Sequence, residues 1–298
     1  MLSANKININ GRIQRMILAR TDLEAIINES LCALKNQREI PVTSLISGAS
    51  CGKTTLIQAM RLAICNVGGF VITDMSEIMD WHQDPKNHSP LRKSFITAQA
   101  VRQRGDLVDD YLIFAGFVFY LVQKQHQSSL GNIRKILISG LPRKSLQAEL
   151  LLEHFPSFIL AYIDCPQEES NRRRLKRIAD GPVRDDDDPA TFERRWKNFH
   201  AETEPTVEEF KAKHLDDGRF LTIDYRRAPL TKSLILLKAM RLKDNEYRSL
   251  HFQLVNSHCE AFKHLDKVLN PGKYKTPLPQ AHSHHHNSVH AKPVIVPA

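Results

Sequence analysis

A loop of small residues followed by a lysine carries the clearest chemical signal in this sequence. Residues 47–55 read S-G-A-S-C-G-K-T-T between a strand-like run and a helical stretch, with Ser47 where such loops usually begin with glycine. This order of elements lets successive backbone N–H groups and a helix N-terminus surround a phosphate. Lys53 can neutralise the β- and γ-phosphates of a nucleotide, and the hydroxyl of Thr54 or Thr55 can bind Mg²⁺. The predicted nucleotide-binding residues of the loop are Gly48, Ala49, Ser50, Cys51, Gly52, Lys53, Thr54 and Thr55.

The elements that must position this loop follow an α/β pattern. Five short, mostly apolar runs are typical of strands covered on both faces, and helical segments fall between them. This alternation predicts a five-stranded parallel sheet flanked by helices, in a three-layer α/β/α fold with right-handed crossovers. The predicted strands are 42–46, 69–73, 135–139, 159–163 and 220–223.

The segments outside this core form extensions and one long insert. Residues 271–298 are rich in histidine and proline and lack apolar periodicity, which predicts a disordered tail. The first 20 residues mix apolar, polar and basic types, and no helix or strand is predicted for them. The predicted divisions are an N-terminal extension at 1–40 with a helix at 21–37, a nucleotide-binding domain at 41–242 with a helical insert at 74–130, and a C-terminal helix at 243–270.

Composition narrows the classes of function. A chain of 298 residues with 42% hydrophobic residues can bury a full core, and no apolar run is long enough for a membrane helix, which predicts a soluble protein without a membrane partner. The net charge is +9, but arginines cluster beside the acidic run 185–188, which favours phosphate binding over a nucleic-acid partner. Five widely spaced cysteines without a C-x-x-C pair indicate neither disulfides nor zinc and fit the cytoplasm. The basic residues before Asp22 also weakly resemble a mitochondrial presequence.

A second informative segment directly follows the third predicted strand. Residues 139–149 read S-G-L-P-R-K-S-L-Q-A-E and resemble the D-G-F-P-R-x-x-x-Q-A-E stretch of adenylate kinases. Together with the phosphate loop, this segment resembles the P-loop nucleoside monophosphate kinases, which have a P-loop NTPase fold. The resemblance implies that Arg143 contacts the phosphate of the acceptor nucleotide and that Gln147 hydrogen-bonds its base. Glutamine at this place is the adenylate kinase choice, which implies AMP, whereas uridylate/cytidylate kinases usually carry asparagine.

A third segment, about 173–188 and the helix after it, resembles the lid region of the same family. The stretches R-R-L-K-R, R-D-D-D, E-R-R-W-K-N-F and H-A-E-T-E-P occur in the order that the family shows. The resemblance implies that Arg173 and Arg177 lie near the adenine and phosphates of ATP. It implies that Arg184 and Arg195 hold the transferring phosphoryl group. Since only residues 178–183 separate Arg177 from Arg184, the resemblance implies a lid of the short form, with no room for the zinc-bearing lid of long forms.

The implied reaction is ATP + AMP to 2 ADP, with Mg²⁺ accompanying ATP. Phosphoryl transfer between two nucleotides gathers many negative charges, so catalysis consists mainly of positioning and cationic stabilisation. Arginine suits this task because its planar fork binds two phosphate oxygens and stays protonated. The implied catalytic residues are Lys53, Arg143, Arg184 and Arg195.

The residues that would bind the acceptor match the family's pattern only in part. The family has T-G-D-x-x-R after its second strand, whereas this chain has T-D-M-S-E-I-M, which puts Glu77 or Ile78 where an arginine grips the acceptor phosphate. Ser139 replaces the aspartate that helps to hold the waters of Mg²⁺. The basic residues of the insert that could take over are Arg92, Lys93 and Arg102.

Three interpretations stay open at this point. The first is an adenylate kinase-like nucleoside monophosphate kinase, the second is a kinase of the same fold with another small-molecule acceptor, and the third is a nucleotide-binding regulatory protein with little turnover. Neither the acceptor nor the oligomeric state follows from the sequence. Cys51 is a candidate for modest reactivity, since a thiol at a helix N-terminus tends toward the thiolate, and its alternative role is to fill the loop as a small residue.

Overall fold

The computed structural model describes residues 4–9, 13–34, 36–64, 68–127, 132–180 and 187–269. The side chains of 4–17, 180 and 258–269 are outside this description. Residues 1–258 form one compact unit, and a second unit comprises 259–298, of which the structure describes a helix backbone as far as Leu269. The predicted tail at 271–298 lies outside the described residues.

A five-stranded parallel sheet forms the centre of the first unit and confirms the predicted fold class. Its strand order is β4-β5-β3-β6-β7, and every neighbouring pair is parallel. Each predicted strand is present, with ends that differ by at most one residue. The five strands are β3 (Val42–Ile46), β4 (Phe70–Asp74), β5 (Lys135–Ser139), β6 (Ile159–Asp164) and β7 (Phe220–Asp224).

An antiparallel hairpin precedes the sheet, where the sequence assigned no element. It consists of β1 (Ala4–Ile9) and β2 (Ile13–Leu18), paired so that Ile9 lies opposite Ile13. The signal for it was present, since polar and apolar residues alternate from Lys6 to Ile9 and the three residues between the two strands read Asn-Gly-Arg.

Helices cover both faces of the sheet. The predicted N-terminal helix ends earlier than expected, at Ala33, and Asn36 beyond it has a left-handed backbone with φ of 54°. The predicted insert contains three helices. The helices are α1 (Arg20–Ala33), α2 (Lys53–Ile64), α3 (Met75–Gln83), α4 (Arg92–Gln103), α5 (Asp110–Gln127), α6 (Ser145–His154), α7 (Gln167–Asp180), α8 (Pro189–Asn198), α9 (Glu204–His214), α10 (Pro229–Ala239) and α11 (Asp244–Leu269), with a π-helical turn at Phe199–Thr203.

Strand alternation divides the core into two apolar clusters. In β5, Ile136 and Ile138 belong to the cluster under α1 and the insert helices, whereas Leu137 belongs to the cluster under α2 and α10. Successive side chains of a strand point to opposite faces, so each apolar run serves both layers of helices. The layers hold the carboxyl ends of the parallel strands at one edge, where ligands bind in open α/β sheets. Among the described helices, none has the length and apolar character of a membrane span.

Candidate active site

The phosphate loop connects β3 to α2, as the sequence predicts. Gly52 has φ of 96°, a backbone conformation that side chains other than glycine rarely adopt. Lys53 is the first residue of α2, and its ammonium group donates hydrogen bonds to the Ser47 carbonyl oxygen at 2.9 Å and the Gly48 carbonyl oxygen at 2.7 Å. The Ser47 hydroxyl accepts a further hydrogen bond at 2.9 Å. The serine that replaces the usual glycine therefore helps to hold the lysine across the loop.

Gly48 allows α8 to pack directly on the phosphate loop. A methyl group added to Gly48 would lie 2.5 Å from two ring carbons of Trp196, which is closer than van der Waals contact permits. Trp196 is buried and packs against Phe192 and Phe199 of the same segment. The absence of a side chain at Gly48 therefore brings α8, which carries Arg195, against the loop.

One large cavity at the carboxyl edge of the sheet collects most of the predicted site residues. Its volume is about 890 Å³. The loop residues 48–55 line it, so the predicted loop residues surround a single space together with arginines from distant parts of the sequence. The arginines of the prediction that line it are Arg143, Arg173, Arg177 and Arg195. Arg184 lies outside the described residues.

Three cations, Lys53, Arg143 and Arg195, line this cavity together, and the charge of Arg195 acts on the other two. Burial lowers the pKa of Lys53 to about 8, and the positive charges of Arg143 and Arg195 lower it further, against the opposing effect of Cys51. Arg143 is exposed to the cavity but recessed within it. Desolvation there, followed by the charges of Arg195 and Arg102, lowers its pKa to about 10. Converging positive charges are unfavourable in an empty site and favourable once an anion lies between them, because an anion favours the protonated forms.

Arg195 reaches the cavity from α8. The helix starts at Pro189, and the Asp188 carboxylate caps it by accepting a hydrogen bond from Thr191 N–H at 2.8 Å. The stem of Arg195 passes Gly105, where a Cβ atom would lie 3.2 Å from the arginine Cγ. Gly105 also has φ of 83°. This glycine therefore supports the approach of Arg195, a role that its position in the sequence did not reveal.

Arg173 and Arg177 project from α7 toward the loop. Arg173 donates a hydrogen bond to the Cys51 carbonyl oxygen at 3.3 Å and to Glu169 at 2.6 Å, and it lies over the ring of Tyr225. Arg177 forms an ion pair with Asp187, whose side chain is fully buried. A buried carboxylate of this kind orients its arginine strongly, because the pair is shielded from water. The two arginines are thus fixed on one side of the phosphate loop.

Gln147 lies apart from the cavity in this conformation. Its side-chain oxygen accepts a hydrogen bond from the Arg143 backbone N–H at 2.7 Å, and its amide nitrogen donates to Asp110 at 2.7 Å. Gln147 is buried and does not belong to the described residues that line the cavity. The geometry gives Gln147 the role of holding the backbone of Arg143, the residue implied to bind the acceptor phosphate.

The acceptor side is built differently from the family pattern. Glu77 forms an ion pair with Arg61 of α2 and accepts a hydrogen bond from the Thr73 hydroxyl at 3.0 Å. It is not one of the described residues that line the cavity, whereas Arg102 of α4 is. Arg102 also pairs with Asp80 at 2.7 Å, and Arg92 donates to the Gln83 carbonyl oxygen instead. Of the basic residues considered from the sequence, Arg102 is the one that the fold brings to the cavity.

The spacing of polar residues in α4 could have identified this face. Gln99, Arg102 and Gln103 all line the cavity, and positions three and four residues apart share one side of a helix.

The loop after β7 forms a further part of the cavity wall that the sequence did not indicate. Lys232 lies in this wall with its ammonium group 2.7 Å from the Tyr225 carbonyl oxygen. Lys232 and the lining residue Pro229 belong to the start of α10, and the other lining residues are Arg226, Arg227 and Ala228 of the loop.

Comparisons with known proteins give partial matches to nucleotide kinases. The probable UMP-CMP kinase 2 of Arabidopsis thaliana is 35% identical over 107 residues, which are 35% of this chain and 38% of that protein. The UMP-CMP kinase 3 of the same plant is 36% identical over 96 residues, which are 31% of this chain and 45% of that protein. The chain thus spans less than half the length of these curated relatives. No family model matches the chain.

Two solved kinase structures are also similar to this chain at low sequence identity. A gluconokinase from Sinorhizobium meliloti 1021 has a TM-score of 0.37 and 12% identity, and the match covers 76% of this chain and 98% of that one. A sugar kinase from Janibacter sp. HTCC2649 has a TM-score of 0.41 and 16% identity, covering 68% and 95%. The strand order and the phosphate loop show a P-loop α/β/α fold, and the partial sequence matches are to nucleotide kinases.

Proposed function

We propose that this chain transfers the γ-phosphoryl group of ATP to a nucleoside monophosphate. The observation that carries the proposal is the convergence of Lys53, Arg143 and Arg195 on one cavity, where the charges of Arg143 and Arg195 help to lower the pKa of Lys53. A site of this kind matches the transition state of phosphoryl transfer, in which charge spreads over the equatorial oxygens of the moving group. The partial identity to UMP-CMP kinases supports the same class of reaction.

Each cation has a distinct role in the proposed reaction. Lys53 and the loop N–H groups hold the β- and γ-phosphates of ATP, while Arg173 and Arg177 lie on the donor side. Arg143 holds the acceptor phosphate, and Arg195 stabilises the group in transfer. An oxygen of the acceptor phosphate attacks the γ-phosphorus as the bond to the β–γ bridging oxygen breaks. No general base is needed, because the attacking oxygen is already ionised.

The donor set of the cavity fits Mg²⁺ brought in with ATP. Thr54, Thr55 and Asp74 line the cavity with oxygen atoms, the ligands that Mg²⁺ prefers. Within the described part of the chain, no three His, Cys, Asp or Glu side chains come together as a metal cluster. Mg²⁺ in kinases takes few protein ligands and several phosphate or water oxygens. The ion would therefore be held by the hydroxyl of Thr54 or Thr55 and the phosphates, and it would neutralise their charge.

The proposal extends to the base of the acceptor nucleotide, for which there are two candidates. Glutamine at Gln147 favours AMP by resemblance to adenylate kinases, and the relatives named above are UMP-CMP kinases. The Gln147 amide already accepts one hydrogen bond from Arg143 N–H and donates one to Asp110, so contact with adenine would have to use its second N–H or its second oxygen lone pair. The partial identity to these kinases makes UMP or CMP the second candidate acceptor.

The proposal is tested by measuring ADP formation from Mg–ATP with AMP, UMP or CMP, and with no acceptor. We expect ADP to form only in the presence of at least one nucleoside monophosphate. Preference for AMP would support the adenylate kinase interpretation, and preference for UMP or CMP would support the second candidate. Turnover only with a non-nucleotide acceptor, or nucleotide binding without turnover under all conditions, would contradict the proposal.

Arg102, and not Glu77, should determine the affinity for the acceptor phosphate. Arg102→Ala should raise the KM for the acceptor about tenfold to a hundredfold, since a charge-assisted hydrogen bond contributes roughly 1.5–3 kcal/mol. The exposed ion pair with Asp80 contributes little, so the guanidinium can turn toward a phosphate. Steady-state kinetics with varied acceptor measures the effect.

Two variants serve as controls for this prediction. Glu77→Ala should leave the KM for the acceptor nearly unchanged, because Glu77 contacts Arg61 and Thr73 outside the cavity wall. Arg92→Ala removes an equal charge from the same helix and should also have little effect. If Glu77→Ala changed acceptor affinity while Arg102→Ala did not, the assignment of the acceptor side would be wrong.

A further inference from the structure

Two hydrogen bonds link the helical insert to the backbone of Arg143. Asp110 is the first residue of α5, and its carboxylate accepts a hydrogen bond from the side-chain nitrogen of Gln147 at 2.7 Å. The side-chain oxygen of Gln147 accepts a hydrogen bond from the Arg143 backbone N–H at 2.7 Å. Gln147 is 3% exposed, and neither Gln147 nor Asp110 is among the described residues that line the cavity. Asp110 is therefore linked to the cavity through Gln147 and Arg143.

The carboxylate of Asp110 determines which way the Gln147 amide points. A carboxylate can only accept hydrogen bonds, whereas an amide side chain donates at its nitrogen and accepts at its oxygen. The nitrogen of Gln147 must therefore face Asp110, which leaves the oxygen facing the Arg143 N–H. If the amide were turned the other way, two oxygens would meet at Asp110 and two N–H donors would meet at Arg143.

The surroundings of Asp110 hold its carboxylate at both oxygens. One oxygen accepts the hydrogen bond from Gln147, and the other lies 3.7 Å from the Lys144 ammonium group. Desolvation raises the pKa of Asp110, whereas the charge of Lys144 and the hydrogen bond from Gln147 favour the carboxylate. The acceptor that orients Gln147 is thus itself fixed in place.

The other polar groups of Arg143 have partners of their own. The Thr203 hydroxyl, in the π-helical turn, donates a hydrogen bond to the Arg143 carbonyl oxygen at 3.1 Å. The Arg143 guanidinium donates a hydrogen bond to the Gly140 carbonyl oxygen at 3.2 Å. The backbone N–H is the group of Arg143 that depends on Gln147, and through Gln147 on Asp110.

We propose that Asp110 is a positioning residue for acceptor binding, which holds the Gln147 amide and, through it, the backbone of Arg143. The inference rests on the proposed contact between Arg143 and the acceptor phosphate. A guanidinium binds two phosphate oxygens in a fixed planar arrangement, so a small shift of the backbone weakens this contact. All nucleoside monophosphates share the phosphate, so loss of the pair should weaken the binding of AMP and UMP by the same factor. A contact between Gln147 and the base would instead change the ratio of the two affinities.

The experiment exchanges the chemical types of the two side chains in the full chain. Gln147→Glu places a carboxylate against Asp110, and the affinities for AMP and UMP, measured by calorimetry, should fall together about fivefold to tenfold. Asp110→Ala removes only the partner of the Gln147 nitrogen and should lower both affinities in the same direction. In the double variant Asp110→Asn/Gln147→Glu, the new amide can donate to the new carboxylate, whose other oxygen still accepts from the Arg143 N–H. This exchanged pair should recover most of the affinity for both nucleotides.

The double variant Asp109→Asn/Gln147→Glu is the matched control. It has the same net charge as the exchanged pair, and Asp109 accepts a hydrogen bond from the Leu112 N–H, which asparagine can also accept. This variant should keep the low affinity of Gln147→Glu. Three results would overturn the inference: equal recovery in both double variants, unchanged affinity in Gln147→Glu and Asp110→Ala, or a changed ratio of the AMP and UMP affinities.

Hydrogen exchange at the Arg143 amide, followed by NMR without nucleotide, separates this inference from the proposed function. The Arg143 N–H should exchange slowly in the wild type and in the exchanged pair, and faster in Gln147→Glu and Asp110→Ala. Equal exchange rates in all of these proteins would overturn the inference. If the wild type bound neither AMP nor UMP, the proposed function would fail, and the exchange rates would still show whether Asp110 positions Arg143.

Discussion

Replacement of Lys53 with alanine should lower phosphoryl transfer about a thousandfold or more while the fold stays intact. The ammonium group is the loop's own positive charge, and it spans the loop through hydrogen bonds to the Ser47 and Gly48 carbonyl oxygens. Loss of one preorganised group that stabilises developing charge typically costs about a hundredfold to a thousandfold in rate, and cations at a transferring phosphoryl group contribute more. Turnover and thermal melting of the purified variant are the measurements.

A control lysine separates this effect from a general loss of charge. Lys238 is exposed on α10, so Lys238→Ala should leave turnover and melting nearly unchanged. Turnover of Lys53→Ala close to that of the wild type would remove the phosphate loop from the proposed site. A variant that melts far below the wild type would instead show that Lys53 serves the fold.

The lowered pKa of Lys53 adds a pH dependence to the same prediction. The pKa is about 8 in the folded protein and 10.5 as the reference value, so the unfolded chain binds the proton more tightly. The unliganded protein should therefore gain stability from this group as the pH rises from about 8 toward 10.5. Nucleotide affinity should fall over the same rise, since the ammonium charge is lost. Lys53→Ala should lack both changes in pH-dependent melting and calorimetry.

The sequence could predict the sheet because its three central strands, β5, β3 and β6, are largely buried on both faces. Such strands are continuous apolar runs, and the loop between β3 and α2 needs small residues and a positive φ at Gly52. Both signals are local. The strands β1 and β2 have a weaker pattern of alternation, and the Asn-Gly pair between them is the main sequence signal that they pair.

The acceptor side could not be predicted by matching residues one by one. The chain lacks the glycine that the family has after this strand, so α3 begins at Met75, directly after β4. Each residue turns a helix by about 100°, so successive residues of α3 face different directions. Ser76 lines the cavity, whereas Glu77 turns to Arg61. The position implied for a phosphate-binding arginine is consequently a structural ion pair.

The hydrogen-bond partners of Gln147 could not be predicted from the neighbouring sequence either. Its amide contacts Asp110, which is 37 residues away in the sequence and belongs to the insert. Only the folded packing of α5 against α6 shows that this side chain is engaged. The role of Gln147 toward an acceptor base stays a prediction, and its contacts with Arg143 and Asp110 depend on the tertiary structure.

Replacement of Arg195 with lysine should lower kcat far more than it raises KM. Removal of an arginine that stabilises the transition state costs about 10³-fold or more in rate. Lysine keeps the positive charge but loses the planar fork that binds two oxygens of the transferring group, so most of this loss should remain. An interaction made chiefly in the transition state appears in kcat, whereas a ground-state contact appears in KM. Steady-state kinetics with each substrate varied in turn measures both.

Arg172 supplies the matched control for Arg195. Its side chain is 69% exposed and pairs with Glu169 on the surface of α7, outside the described lining of the cavity. Arg172→Lys should therefore change kcat and KM very little, since an exposed ion pair contributes little free energy. Equal and small effects at both positions would mean that Arg195 is surface charge, and the kinase proposal would then depend mainly on the phosphate loop. A large loss at Arg195 alone would place the transferring group between α8 and Lys53.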